Sequence, residues 1–163
     1  MPEDTLLVPI IQILKRRLGG LETKSRSGRE TPLIHAAKNW NAKAVKAFIA
    51  SGANVNAGVQ FEKPLISAVC GGPEFYVASE SRDQVAMRRH DVIKALIDNG
   101  ADVNPNGTGG FSPLMTAASH SYAKSVKMLL HAGADVDHTG GFKCTALMIA
   151  AQKESGETLE HLL

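Results

Sequence analysis

Cysteine is scarce. Only Cys70 and Cys144 occur in 163 residues, too few for a disulfide framework, so packing must hold the fold. The compartment this implies is reducing, the cytosol first and the nucleus second. Long apolar runs are also missing. The stretch from Leu6 to Leu14 is too short for a membrane span, and the acidic Met1-Pro2-Glu3-Asp4 before it is no signal-peptide flank. Aromatic residues make up 5% of the chain and do not interleave with its basic residues, which argues against a nucleic-acid surface. Catalytic arrangements are lacking as well. Gly107-Thr108-Gly109-Gly110 has no lysine after it, as a phosphate loop requires. His131, His138 and Cys144 are scattered rather than spaced as zinc ligands. There is no nucleophile elbow, and no acid is placed by the sequence to orient His35 or His120 as a base. The expectation is a protein that is not an enzyme and takes no cofactor, metal or small-molecule substrate.

What is present is an ordinary soluble composition, 44% hydrophobic and 21% charged, in a length that suits one elongated domain. The net charge is only +2 but is uneven: residues 1–60 carry nine Lys/Arg against four acids, and the remainder carries nine against twelve. The basic end is read as a solvated cap, the alternative being a surface for an acidic partner. Lys15-Arg16-Arg17 falls at the end of a short apolar helix, where cations suit the helix dipole.

One phrase is written four times. It reads Thr31-Pro32-Leu33-Ile34-His35-Ala36-Ala37, then Lys63-Pro64-Leu65-Ile66-Ser67-Ala68-Val69. It returns as Ser112-Pro113-Leu114-Met115-Thr116-Ala117-Ala118 and Thr145-Ala146-Leu147-Met148-Ile149-Ala150-Ala151. A second phrase interleaves with it: Gly52-Ala53-Asn54-Val55-Asn56, Gly100-Ala101-Asp102-Val103-Asn104 and Gly133-Ala134-Asp135-Val136-Asp137. Thr or Ser caps a helix and Pro occupies its first position, where a missing N–H is harmless. Leu and the two small residues then let a neighbouring helix come close. Apolar residues at Val45, Phe48, Ile49, at Val92, Leu96, Ile97 and at Val126, Leu129, Leu130 share one face of a second helix. Gly52, Gly100 and Gly133 end those helices in a left-handed conformation. A single helix pair of this kind cannot bury its apolar face, but a stack of them can.

A period near 33 with these words resembles the ankyrin repeat, over about residues 29–163. The resemblance implies an all-α solenoid of stacked helix-turn-helix units joined by β-hairpin finger loops. Residues 1–28 then form an N-terminal capping helix (8–18) and linker. Repeat 1 spans about 29–61, repeat 2 about 62–109, repeat 3 about 110–142, and repeat 4 about 143–163, incomplete. Leu159, Leu162 and Leu163 are core positions of its second helix, which suggests either a piece of a longer protein or an abbreviated cap. Repeat 2 is longer than the others by an insert at 73–88. Ser81 and Gln84 have capping-box spacing, so its second helix should start near 82 and run to about 98. Phe75 and Tyr76 on the insert are candidate contacts. Lys63 in place of a capping Thr, and Ala146 in place of Pro, should make repeats 2 and 4 the least stable.

Proteins of this kind typically bind partners by their finger tips and the inner face of their first helices. Phe61, Phe111 and Phe142 stand in the fingers as anchors, or alternatively pack against neighbouring fingers. The positions carried over to the palm are His35, Lys38, Asn39, Ser67, Cys70, Thr116, Ser119, His120, Ile149, Gln152 and Lys153. Trp40 and Tyr122 occupy the helix-to-helix turn, where the family usually has Gly or His. The function implied is protein–protein interaction by a monomer, with no membrane and nucleic acid disfavoured. The alternative is a substrate-selecting adaptor segment of a larger enzyme or effector protein whose catalytic part lies outside this chain. A weaker reading makes the stack itself a substrate, with Asn56 and Asn104 where similar proteins carry asparagine hydroxylation.

Overall fold

The computed structural model describes residues 9, 12, 20–22, 30–59, 61–72, 81–141 and 143–163. Most of the expected capping helix over 8–18 therefore lies outside the described residues, as do Phe75, Tyr76 and Phe142. The repeated phrase folds into helices α1 (Pro32–Lys38), α3 (Pro64–Cys70), α5 (Pro113–Ser119) and α7 (Ala146–Gln152). The second helices are α2 (Ala42–Ala50), α4 (Arg82–Asp98), α6 (Ala123–His131) and α8 (Gly156–Leu162). First helices pack on first helices and second on second, in chain order.

The local causes are the ones the phrase predicts. Thr31 Oγ1 accepts from the Ile34 amide at 3.2 Å, Ser112 Oγ from Met115 at 3.2 Å and Thr145 Oγ1 from Met148 at 3.3 Å. Lys63 gives α3 no such cap. Instead its Nζ reaches the Asn56 carbonyl at 3.2 Å. Behind the caps, Leu33, Leu65 and Leu114 are buried, and so are Ala37, Ala68, Ala117 and Ala118. Each second helix ends in paired backbone bonds: Gly52 to Ile49 and Ala53 to Phe48, then Gly100 to Ile97 and Ala101 to Leu96, then Gly133 to Leu130 and Ala134 to Leu129. The three glycines have φ of 87°, 81° and 87°, the left-handed conformation that this helix ending needs. Leu162 joins the core and Leu159 is half-buried, but Leu163 is 92% exposed, contrary to its expected core position.

The fingers depart from the expected β-hairpins. Among the described residues there is no strand; one isolated antiparallel bridge, Val59 with Glu62, and a 3-10 turn at Thr108–Gly110 stand in their place. Side chains do what a strand ladder would have done. Asn56 Oδ1 accepts the Asp102 amide at 2.7 Å while its Nδ2 donates to the Gly100 carbonyl at 3.0 Å. Asn104 repeats this one unit later, accepting from Asp135 at 2.8 Å and donating to Gly133 at 3.3 Å. At the near end, Glu22 Oε1 accepts the Asn54 amide at 2.8 Å, and Leu21 joins the core. Ile34, Ile66 and Met115 pack beneath Gly58, Gly107 and Gly140 of the next finger and are buried, whereas Met148 at the equivalent place is 57% exposed.

Part of the extra length of repeat 2 goes into its second helix. α4 has 17 residues where α2 and α6 have nine. It opens on the expected capping box, with Ser81 Oγ accepting from Gln84 at 3.3 Å and Gln84 Oε1 accepting the Ser81 amide at 2.9 Å.

Candidate functional site

The inner face is built from one column of the repeated phrase. Lys38, Cys70, Ser119 and Gln152 stand at the same place on α1, α3, α5 and α7, and all keep solvent access. Beneath them lie the buried alanines Ala36, Ala68, Ala117 and Ala150. Small buried residues let neighbouring first helices pack together, so the four positions repeat in register from one unit to the next. The next column adds Asn39, His120 and Lys153. Asn39 Nδ2 donates to the His35 carbonyl at 2.9 Å, and His120 Nδ1 lies 2.9 Å from the Thr116 carbonyl. These two side chains therefore also finish α1 and α5.

The column before the alanines is mostly closed. Ser67, Thr116 and Ile149 are 6%, 8% and 7% exposed, so Thr116 is no groove contact. Its hydroxyl donates to the Ser112 carbonyl at 3.0 Å, one turn back. His35, in the first repeat, is the exception: its side chain is 70% exposed. Glu30, just before the capping Thr31, meets Lys38 at 2.9 Å and His35 at 3.4 Å. The Lys38 ammonium is the main reason the Glu30 carboxyl sits below the ordinary carboxylate range; partial desolvation opposes it and His35 adds to it. Sequence reasoning missed Glu30, whose only signal was its position at the foot of a helix carrying two basic residues.

The aromatic candidates divide. Phe61 is 45% exposed and remains an available anchor. Phe111 is half-buried against the core, with its ring beside Gly109 of its own finger. Trp40 is no groove residue, being only 4% exposed. Its backbone takes φ 51° at the tight turn after α1, its ring lies against Gly72, and its Nε1 donates to the Ala68 carbonyl at 2.7 Å. Burying an indole of this size contributes about 4–6 kcal/mol, more than a typical interface hot spot returns, so the ring stays in the core.

Tyr122 is likewise engaged. The Arg89 guanidinium carbon lies 3.3 Å from the centroid of its ring, and His120 stacks on it at 5.1 Å. The same Arg89 lies 5.2 Å from the Trp40 ring. A cation from the extended α4 of repeat 2 thus ties together rings from repeats 1 and 3. Nothing in the spacing of Trp40, Arg89 and Tyr122 along the chain announces this contact.

Among the described residues there is no group of three His, Cys, Asp or Glu able to hold a metal, and no helix long and apolar enough to cross a membrane. Cys70 is exposed as a residue, yet burial of the thiol itself pushes its pKa up, outweighing the helix backbone and Lys38, which act the other way. That disfavours thiolate and reactivity at neutral pH.

The comparisons with known proteins agree with this architecture. A family model described as "Ankyrin repeats (3 copies)" matches residues 84–140, and one described as "Ankyrin repeat" matches residues 29–58. A search of curated proteins returned no match. Repeats of this kind are generally protein–protein interaction modules and typically non-catalytic. The two matches together cover more than half of the chain, both fall on the stacked helix pairs, and the chain belongs to the ankyrin repeat family.

Proposed function

We propose that this chain captures a partner protein, without turnover, along the inner groove made by its first helices and fingers. The observation that carries the reading is the open row Lys38, Cys70, Ser119 and Gln152 above a buried alanine floor. Residues with solvent access in register on four consecutive units suit an extended or folded protein surface better than a small molecule, which would need an enclosed pocket. The row is polar and mixed in charge, with Glu30, His35 and Lys38 at one end and Gln152 with Lys153 at the other. Phe61 supplies the apolar anchor. Burying its exposed ring on a partner is worth about 2 kcal/mol, the scale of an interface hot spot.

The test is affinity capture from native lysate read by mass spectrometry, with wild type beside a Phe61→Ala/Ser119→Trp/Gln152→Trp variant of unchanged circular dichroism. Partners retained by wild type and lost by the variant support the groove. Equal retention by both proteins overturns it. Once a partner is in hand, Phe61→Ala alone should weaken binding by about 30-fold in calorimetry, the equivalent of ~2 kcal/mol.

A further inference from the structure

We infer a second docking surface on the outer side of the stack, the cleft between α4 and α6, shaped for an acidic amphipathic segment of a partner protein. It lies on the second helices, away from the inner row.

The cleft is open to solvent and has a volume of about 500 Å³. Its origin is in the packing. The outer helices α4 and α6 touch less extensively than the other neighbouring outer helices do, and less than the inner helices α3 and α5 of the same two repeats. The pair therefore opens outward as a wedge. Its floor is apolar: Ile97 and Met128 are half-buried, with Ala132 beside them. Its rim is cationic. Lys94, Lys124 and Lys127 are all exposed, and the one carboxylate among the lining residues, Asp98, lies 2.9 Å from Lys94. Three lysines against one acid leave this small surface an excess of two positive charges, equal to the net charge of the whole chain. His90 and His131 also line it.

Floor and rim together select the occupant. A free phosphate or a small carboxylate would use the lysines and leave the apolar floor wet. A nucleic-acid strand stacks best on Phe, Tyr or Trp, and none of these lines the cleft, where His90 and His131 are the only rings. A segment with apolar side chains on one face and Glu or Asp beside them satisfies both, and an unbranched Met on the floor adapts to whichever apolar side chain arrives. The neighbouring hollow on the other side of α6, about 330 Å³, shares Lys127 and His131 but carries Glu160. That carboxylate opposes an acidic segment crossing toward α8, so the occupant should follow the α4–α6 valley.

The test uses the full chain and a random displayed library of peptides of about twelve residues, the length of three helical turns. Peptides selected on the wild type should be rich in Glu and Asp around Leu, Ile or Phe. They should bind Lys124→Glu/Lys127→Glu at least tenfold more weakly, and several-fold more weakly between about 0.05 and 0.5 M salt. Both lysines are exposed, so circular dichroism should show the variant folded. A second readout does not depend on the variant. With methyl-labelled methionine the chain gives signals from Met1, Met87, Met115, Met128 and Met148. Binding in the cleft should move Met128 and leave Met148, which lies on the finger side, unmoved. Selected peptides without acidic residues, affinity indifferent to the double charge reversal, or a shift confined to Met148 would each overturn the proposal.

Discussion

Asn56 and Asn104 each span two repeats with a single side chain, because an amide both accepts and donates while a carboxylate only accepts. Asn104→Ala removes two bonds between fingers and should lower stability by roughly 1–2 kcal/mol, read from the urea midpoint. Asn104→Asp, keeping the acceptor, should fall between the two; equal loss in both variants would contradict the split role. The Glu30 carboxylate is a second residue with a measurable signature. Its pKa is lowered in the folded chain, so the stability it contributes is present above its unfolded value and is lost as the pH falls through the lowered folded value. Lys38→Met should return the carboxyl toward the ordinary range in an NMR titration and should remove that stability, which is present at neutral pH and amounts to less than about 1 kcal/mol for a partly exposed pair. An unchanged Glu30 titration would show that the Lys38 contact is not what lowers it. The Asn positions were legible, since they recur with the glycines before them. Glu30 and Arg89 were not, because an ion pair or a cation over a ring leaves no period in the sequence.

At the scale of elements, the caps and helix ends were read nearly in full: short local patterns determine them, and Ser81 with Gln84 fixed the start of α4. The fingers were read less well. Side-chain bonds and the Gly58, Gly107 and Gly140 contacts hold them, so they need no strand pairing. Trp40 was misplaced for a related reason. Its position at the turn is local, but the direction of its ring is set by α3 of the next repeat. The close approach of α1 and α3 also makes Gly71 sensitive. A Cβ there would sit 2.5 Å from the Lys38 carbonyl oxygen and would also overlap that of Ser67, both backbone atoms that cannot swing aside. Gly71→Ala should therefore lower the thermal midpoint markedly, by an overpacking term of about 1–3 kcal/mol. A neutral result would mean that α1 and α3 can slide apart at this point.

Across the whole molecule, stability is a sum of units and the contacts between neighbours. Arg89 is unusual because it reaches both neighbours at once, through Trp40 and Tyr122. Arg89→Met keeps a long apolar stem but removes the cation. It should reduce stability by about 2 kcal/mol and also lower the urea m-value, as repeats 1 and 3 begin to unfold less in concert. A lower midpoint with an unchanged slope would assign Arg89 to local packing alone.

The finger ladder has a practical corollary. Asn56 and Asp102 are 46 residues apart and Asn104 and Asp135 only 31, yet the two bonds are 2.7 and 2.8 Å long. The edge of the stack keeps its pitch without regard to how much chain runs between its rungs. The stretch between Gly72 and Ser81 is thus a natural address for grafting: a fluorescent tag or a foreign loop written in there should leave the Asn56 and Asn104 bonds as they are.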